Sequence, residues 1–264
     1  MKQPDFENLA EQFDHPDVRA LVLMGSYARG DDGPFSDVDL VRFSRDEETI
    51  LEDRGSHLID GRLIVVSDVT PSQVEAAFTQ PELAVDVIQG LRLGRALIDK
   101  DGFFVTLQQR ANSFRWDEAM QEKANRWASR QMVGWIEEVH KGLEGLIRDD
   151  VGRMLHAKFG CTWGLARVMC VQRGVLLSGD NALFEEVTHS MGTDSGWTQL
   201  LRAAYGVDDE PSMLHQQVIA GLCLYGLTAD LLKEVLQEED APMVMESAAL
   251  ISDSLSAISS LSGR

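Results

Sequence analysis

The chain has 264 residues, 44% hydrophobic and 25% charged, enough for one large domain or two ordinary ones with a proper core. Its formal net charge of −19 repels phosphate backbones, which disfavours a large nucleic-acid partner and is compatible with a cationic small substrate or a nucleotide carried with Mg2+. No apolar run of about 18 residues is present, so no membrane span is expected. The opening "MKQPDFENLAEQF" is acidic and lacks the apolar core of a secretory leader. Cys161, Cys170 and Cys223 lie in apolar stretches without a CxxC pair and read as reduced core residues of a cytoplasmic protein. The six histidines show no HExxH or other metal-ligand spacing.

In chain order, residues 5–14 read as a helix. "VRALVLMG" is a short apolar run rich in β-formers, bounded by Pro16 and Gly25, and reads as a buried strand. "SDVDLVRF" alternates: Val38 and Leu40 face one way, Asp37 and Asp39 the other. "DGRLIVVSDV" is a third strand opened by a turn at Asp60-Gly61, and Thr70-Pro71 caps and starts a helix. "ALIDKDG" reads as a short strand and turn. Strand signals then vanish, and helix-period stretches run over 117–149, 151–174, 180–190, 196–205, 211–238 and 243–261. The last of these is Ser-rich but keeps an apolar stripe at Ala248, Ile251, Leu255 and Ile258. The expected architecture is an α/β domain over residues 1–112, followed by an all-α domain over 113–264, with the boundary near 110–117.

The usual phosphate-binding and hydrolase motifs are missing. There is no G-x-x-x-x-G-K-[ST] and no G-x-G-x-x-G after a strand. "GTDSG" at 192–196 has the wrong spacing for a nucleophile elbow, and His15-Pro16-Asp17 lacks the downstream asparagine of a kinase catalytic loop.

The informative stretch is "MGSYARGDDGPFSDVDL", residues 24–40. Asp37 and Asp39, two apart on a strand, are same-face carboxylates about 6–7 Å apart along the chain. Such a pair repels itself unless a cation lies between, and Mg2+ is the fitting ion: hard, oxygen-seeking, and bound by one or two carboxylates together with substrate phosphates. Gly25 permits a tight turn presenting N–H groups, Ser26 adds a hydroxyl, and "SYARG" reads as a first helical turn favourable to phosphate. Alternating acids alone fit a solvated strand face. The whole constellation of strand, Gly-Ser, a loop of fixed length and acid-apolar-acid is far more specific.

At these residues the sequence resembles the DNA-polymerase-β-like nucleotidyltransferase superfamily: Met24-Gly25-Ser26, then Asp37-Val38-Asp39. The resemblance implies a small mixed sheet carrying the acids, Mg2+, and transfer of a nucleotidyl group from an NTP, with ATP the expected donor, releasing pyrophosphate. The α/β region followed by helices opening with "WIEEVHKGLEGLIRDD" further resembles the antibiotic nucleotidyltransferases of the kanamycin type. There a helix carries a glutamate, the general base on the acceptor hydroxyl, and four residues later a lysine that contacts nucleotide phosphate. Glu137 and Lys141 match that spacing and share a helix face, with Glu138 the nearest alternative base. Many superfamily members carry a third acid on the adjacent strand. "GRLIVVSD" has none in its interior; Asp60, which precedes it, is the candidate that could swing in as the third acid, Asp68 ends it, and Asp86 reads as a helical surface acid.

The expectation is a cytoplasmic nucleotidyltransferase whose Gly25, Ser26 and Lys141 bind the NTP, whose Asp37 and Asp39 bind Mg2+ and act in catalysis, and whose Glu137 takes the proton of a small, cationic, aminoglycoside-like acceptor. Neither nucleic acid nor membrane is expected as a partner. The kanamycin-type resemblance leaves a homodimer open. Two alternatives stand beside it: an antitoxin-like regulator that nucleotidylates a partner protein, and a catalytically inactive NTP-binding module.

Overall fold

The computed structural model describes residues 3–49, 51–208 and 212–262. The chain divides into two compact units, one running to Trp116 and including Leu176–Asp180, the other comprising Asp117–Val175 and the residues from Asn181 onward.

The first unit begins with α1 (Phe6–Phe13), capped by the Asp5 carboxylate, which accepts from Asn8 N–H. Then come β1 (Val18–Met24), the single turn α2 (Gly25–Arg29), β2 (Val38–Ser44), β3 (Gly55–Ile59), β4 (Arg62–Val69), α3 (Pro71–Thr79), α4 (Pro81–Leu93), β5 (Arg95–Asp99) and α5 (Phe103–Ser113). The sheet order is β3-β4-β2-β1-β5, with β2 and β4 parallel and the other neighbours antiparallel. β1 lies inside the sheet and is apolar on both faces, which is why its sequence runs without alternation. Leu9 and Phe13 of α1 pack on one face with Leu21, Leu40 and Ile64. Val74, Leu91, Phe104 and Leu107 of the other helices pack on the opposite face with Ala20, Val22 and Phe43. The result is three layers with the sheet in the middle.

Local chemistry sets the joints. At Asp60 and Gly61 the φ angles are 50° and 75°, so the β3–β4 hairpin turns through two left-handed residues, and Asp60 is a turn residue here. Thr70 forms a complete capping box: its hydroxyl accepts from Gln73 N–H, and its own N–H donates to Gln73 Oε1 at 2.9 Å. Strand β3 was not anticipated. It is short, borders the sheet, and alternates only weakly in burial through Gly55, Ser56 and His57.

The second unit is helical: α6 (Glu118–Gly134), α7 (Ile136–Arg148), α8 (Val151–Phe159), α9 (Leu165–Gln172), α10 (Leu183–Met191), α11 (Gly196–Tyr205), α12 (Leu214–Leu232) and α13 (Ala241–Ser262). The stretch expected as one helix over 117–149 breaks at Trp135, and that over 151–174 contains a π turn at Gly160–Gly164. Both departures have one cause. The Trp135 ring lies on Gly164, where a Cβ would come within 2.9 Å of Trp135 Cδ2, and at Gly160 a Cβ would fall 2.6 Å from Glu138 Cγ. The glycines let the widened turn accept the tryptophan and the glutamate beside it. Helix α12 is the axis of this unit. Its buried Thr228 accepts from Trp197 Nε1 at 2.9 Å, and its Tyr225 hydroxyl donates to Met132 O at 3.0 Å. Among the described residues, no helix is long and apolar enough to cross a membrane.

Candidate functional site

The end of β1 and the start of β2 are neighbours, with Met24 paired to Asp39 across the antiparallel ladder. This places the Gly25 turn directly beside the Asp39 carboxylate. Gly25 has φ +62°, a conformation L side chains rarely adopt, and a Cβ built there would overlap Asp39 Oδ2 and lie 3.2 Å from its Cγ. The glycine is therefore required twice, by its backbone angle and by the acid packed against its Cα. Only the first requirement is visible in a sequence.

The loop that follows is closed by local bonds. Ser26 O accepts from Gly30 N at 2.8 Å and Asp31 N at 3.1 Å, and Gly30 ends α2 at φ +82°. Gly33 N donates to Ser36 Oγ at 2.9 Å while Ser36 N donates to Gly33 O at 3.2 Å. This small ring delivers Asp37 to the residue just before β2. The strand itself begins at Val38, so Asp37 is on its entry and Asp39 is inside it. Tyr27 is buried beneath the turn, and its hydroxyl accepts from Arg62 Nη1.

Asp39 is half-buried. Burial, then the charge of Asp37, push its carboxyl from 3.8 up to about 6; Arg29 opposes the rise and Asp180 adds to it. Anionic oxygens gathered at a partly desolvated point form a cation-seeking site. An oxygen donor set of two carboxylates fits Mg2+, which completes its shell with phosphate oxygens and water. Among the described residues no group of three His, Cys, Asp or Glu side chains could hold one metal ion. On β4 the partner of Asp39 is Val65, so the neighbouring strand brings an apolar residue to that level, and Asp68 is engaged by Arg42 at 2.7 Å.

Arg29 closes one side of the turn. Its Nε donates to Asp31 Oδ2 at 3.1 Å and its Nη1 to Ser178 O at 2.8 Å. Ser178 belongs to the returning strap Leu176–Asp180, which is seated by buried Leu177, whose N–H donates to Val85 O at 2.7 Å. The strap brings Asp180 to the same cavity that Gly25, Arg29 and Asp39 line. Sequence reasoning missed Asp180, because "SGDN" carries no signal that it returns to a sheet ended long before.

In the helical unit, Glu137 and Lys141 meet on α7. Lys141 Nζ lies 2.9 Å from Glu137 Oε1 and 2.8 Å from Glu138 Oε1. Glu137 is 75% exposed, and the hydrogen bond from Lys141, followed by that lysine's charge, holds its carboxyl below the usual range. The two glutamates in turn raise the Lys141 pKa. Glu138 is the more sheltered neighbour: Oε1 is bonded to Lys141, while Oε2 is buried with no hydrogen-bond partner among the described residues, as is Trp135 Nε1.

No curated protein matches the chain. A solved structure of a nucleotidyltransferase-like protein from Exiguobacterium sibiricum 255-15 is similar at 13% identity and a TM-score of 0.48, over 89% of this chain and 75% of that one. Residues 7–87, which span α1 through the first half of α4 and hold Gly25, Ser26, Asp37 and Asp39, match the family model described as the nucleotidyltransferase domain.

Proposed function

We propose that the protein transfers a nucleotidyl group, adenylyl in the first instance, from an NTP to a hydroxyl of a small cationic acceptor. The observation that carries the reading is the seating of the Asp39 carboxylate on the Gly25 turn within the matched domain. Asp37 and Asp39 would hold Mg2+, which when bound neutralises charge on the phosphates. The Gly25–Ser26 turn positions the phosphate chain. The acceptor oxygen attacks the α-phosphorus, the bond from that phosphorus to the bridging oxygen breaks, pyrophosphate departs, and the hydroxyl proton passes to Glu137.

As it stands Glu137 is a poor base, because Lys141 lowers its pKa. In the proposed mechanism the lysine turns to the nucleotide phosphate. Removing it from Glu137 lets that carboxyl recover its basicity when the donor is bound. Acceptor and donor chemistry would thus be coupled through one ammonium. The acidic chain, at −19, favours a cationic acceptor over tRNA or DNA.

The test uses ATP labelled at the α-phosphate with Mg2+, offered to a panel of aminoglycosides, simpler hydroxylated amines, tRNA and candidate proteins. Label should move to a small amine, and Asp37→Asn with Asp39→Asn should abolish transfer and metal-dependent ATP binding while leaving the circular-dichroism spectrum unchanged. Label on tRNA alone would end the small-molecule reading. Unchanged Mg2+-dependent ATP binding in the folded double variant would end the assignment of the acid pair.

A further inference from the structure

Beside Asp39 the N-terminal unit holds a cavity of about 490 Å3, a size typical of small-molecule sites. Its lining is of two kinds. Gly25, Arg29, Asp39 and Asp180 form a polar cluster, tied together by the Gly25–Asp39 contact and by the Arg29 bond to the strap. From Asp39 the wall continues along the same strand face to Val41 and Phe43 and on to Val69 of β4, Ala77 of α3, and Leu83 and Leu91 of α4, with two further acids on the lining: Asp68, held by Arg42, and the exposed Asp86 of α4. Arg29 is the only cation among the lining residues, and it is already engaged by Asp31 and Ser178.

These features select an occupant. A polyphosphate without its metal is repelled by the acids. A nucleobase would set most of its ring nitrogens against the apolar stretch of the wall. The one side-chain amide there, Gln73, has its oxygen bonded to Thr70 N–H. A polyhydroxylated polycation meets the same objection as the base. What fits is an apolar ring or chain with a cationic group at the polar cluster. Asp180 is the group for that cation, because it belongs to the polar cluster beside Asp39, whereas Asp68 is held by Arg42 and Asp86 lies exposed on α4. It lines the cavity yet does not converge with Asp37 and Asp39 tightly enough for a shared metal ion, since no three-ligand group exists among the described residues. We propose that the acceptor is an amphipathic hydroxylated amine, its apolar body lodged between β2 and helices α3 and α4 and its ammonium paired with Asp180. The inference rests on the nucleotidyl-transfer reading and narrows its acceptor class.

Calorimetry with Mg2+ and a non-hydrolysable ATP analogue tests it, using three probes. 2-Amino-1-phenylethanol has ring, hydroxyl and ammonium; 1-phenylethanol lacks the ammonium; tris(hydroxymethyl)aminomethane lacks the apolar body. The first should bind about tenfold more tightly than either of the others, the margin of one charge-assisted hydrogen bond or one buried ring. Asp180→Asn should erase the lead of the amine over the alcohol, a ratio that a general loss of stability does not move. Val87→Phe, on the partly exposed rim of the cavity, and Ala77→Leu, in its wall, should weaken both phenyl compounds and leave the ATP analogue bound as before. Equal binding of all three probes, or an amine-to-alcohol ratio untouched by Asp180→Asn, would overturn the proposal. Loss of the ATP analogue in both cavity variants would overturn it too, giving the space to the nucleobase. Failure of the analogue to bind wild type, measured before any amine is added, would instead defeat the nucleotidyl-transfer reading.

Discussion

Asp39 and Glu137 are both carboxylates on regular elements, and their surroundings push them in opposite directions. Asp39 sits half-buried on a strand among other acids, which raises its pKa to about 6. Glu137 stands out on a helix with a lysine one turn away, which lowers its pKa. The first is a charge held in place by the sheet and only partly offset by Arg29, the state the proposed cation would relieve. The second is compensated already by Lys141, and as the proposed base it would have to lose that partner. On the proposed mechanism the nucleotide complex would supply what each lacks: a cation to Asp39, and a competitor for Lys141.

The comparison can be broken most decisively at Glu137. Glu137→Gln should lower turnover by about 10²- to 10⁴-fold, the usual cost of losing a general base, with ATP binding retained. Glu138→Gln, about 100° around the helix, is the control. If only the control loses turnover, the sheltered carboxylate with its unpartnered oxygen is the base and the exposed one is surface. Next in size is Gly25→Ala. A methyl at φ +62° costs about 1–2 kcal/mol in backbone strain, and it also displaces the Asp39 carboxylate. Mg2+–ATP affinity should therefore fall further than the melting temperature explains, and equal affinity would mean the carboxylate moves aside freely.

A smaller effect concerns the cost of Asp39 itself. An acid whose pKa rises on folding holds its proton more tightly in the fold than in the unfolded chain. The cost of Asp39 is therefore absent below pH 3.8, grows between 3.8 and about 6, and is complete above that. Without metal, Asp39→Asn should stabilise the protein at pH 7.5 by about 1 kcal/mol after allowance for its solvent-exposed part, or about 2–4 °C in Tm. The gain should shrink at pH 5 and vanish for wild type supplied with Mg2+–ATP. A gain independent of pH would assign the effect to packing. The smallest effect is Lys141→Met, which should return the Glu137 carboxyl toward 4.5 in an NMR titration without moving Asp39.

The parts legible in the sequence were those built over short range. β1, β2, β4 and β5, the Asp60-Gly61 turn and the Thr70 cap follow from residues within a few positions of one another, as does the Gly25-to-Asp39 motif. What escaped was made by distant parts of the chain. The close approach of the Asp39 carboxylate to Gly25, which leaves no room for a Cβ there, depends on the register of β1 against β2. The break at Trp135 depends on Gly160 and Gly164, which leave no periodic trace of their own in a helix-forming run. Asp180 depends on a loop of the helical region returning to the sheet, and no local pattern announces that.

The strap has a consequence for the order in which the molecule is made. Once residues up to Trp116 have left the ribosome, every strand of the sheet is available and the Gly25–Asp39 contact can form. At that moment Val85 O has no Leu177 to receive from and Arg29 has no Ser178 carbonyl to hold. The sheet can thus fold early during synthesis, but the wall beside Asp39 waits until the chain has passed Asp180. A nascent or proteolysed fragment ending at the junction of the two units would bear the whole acid motif with an unfinished pocket. Completeness of the helical region's first half thereby becomes a condition for the N-terminal site, checked by the geometry of the chain itself.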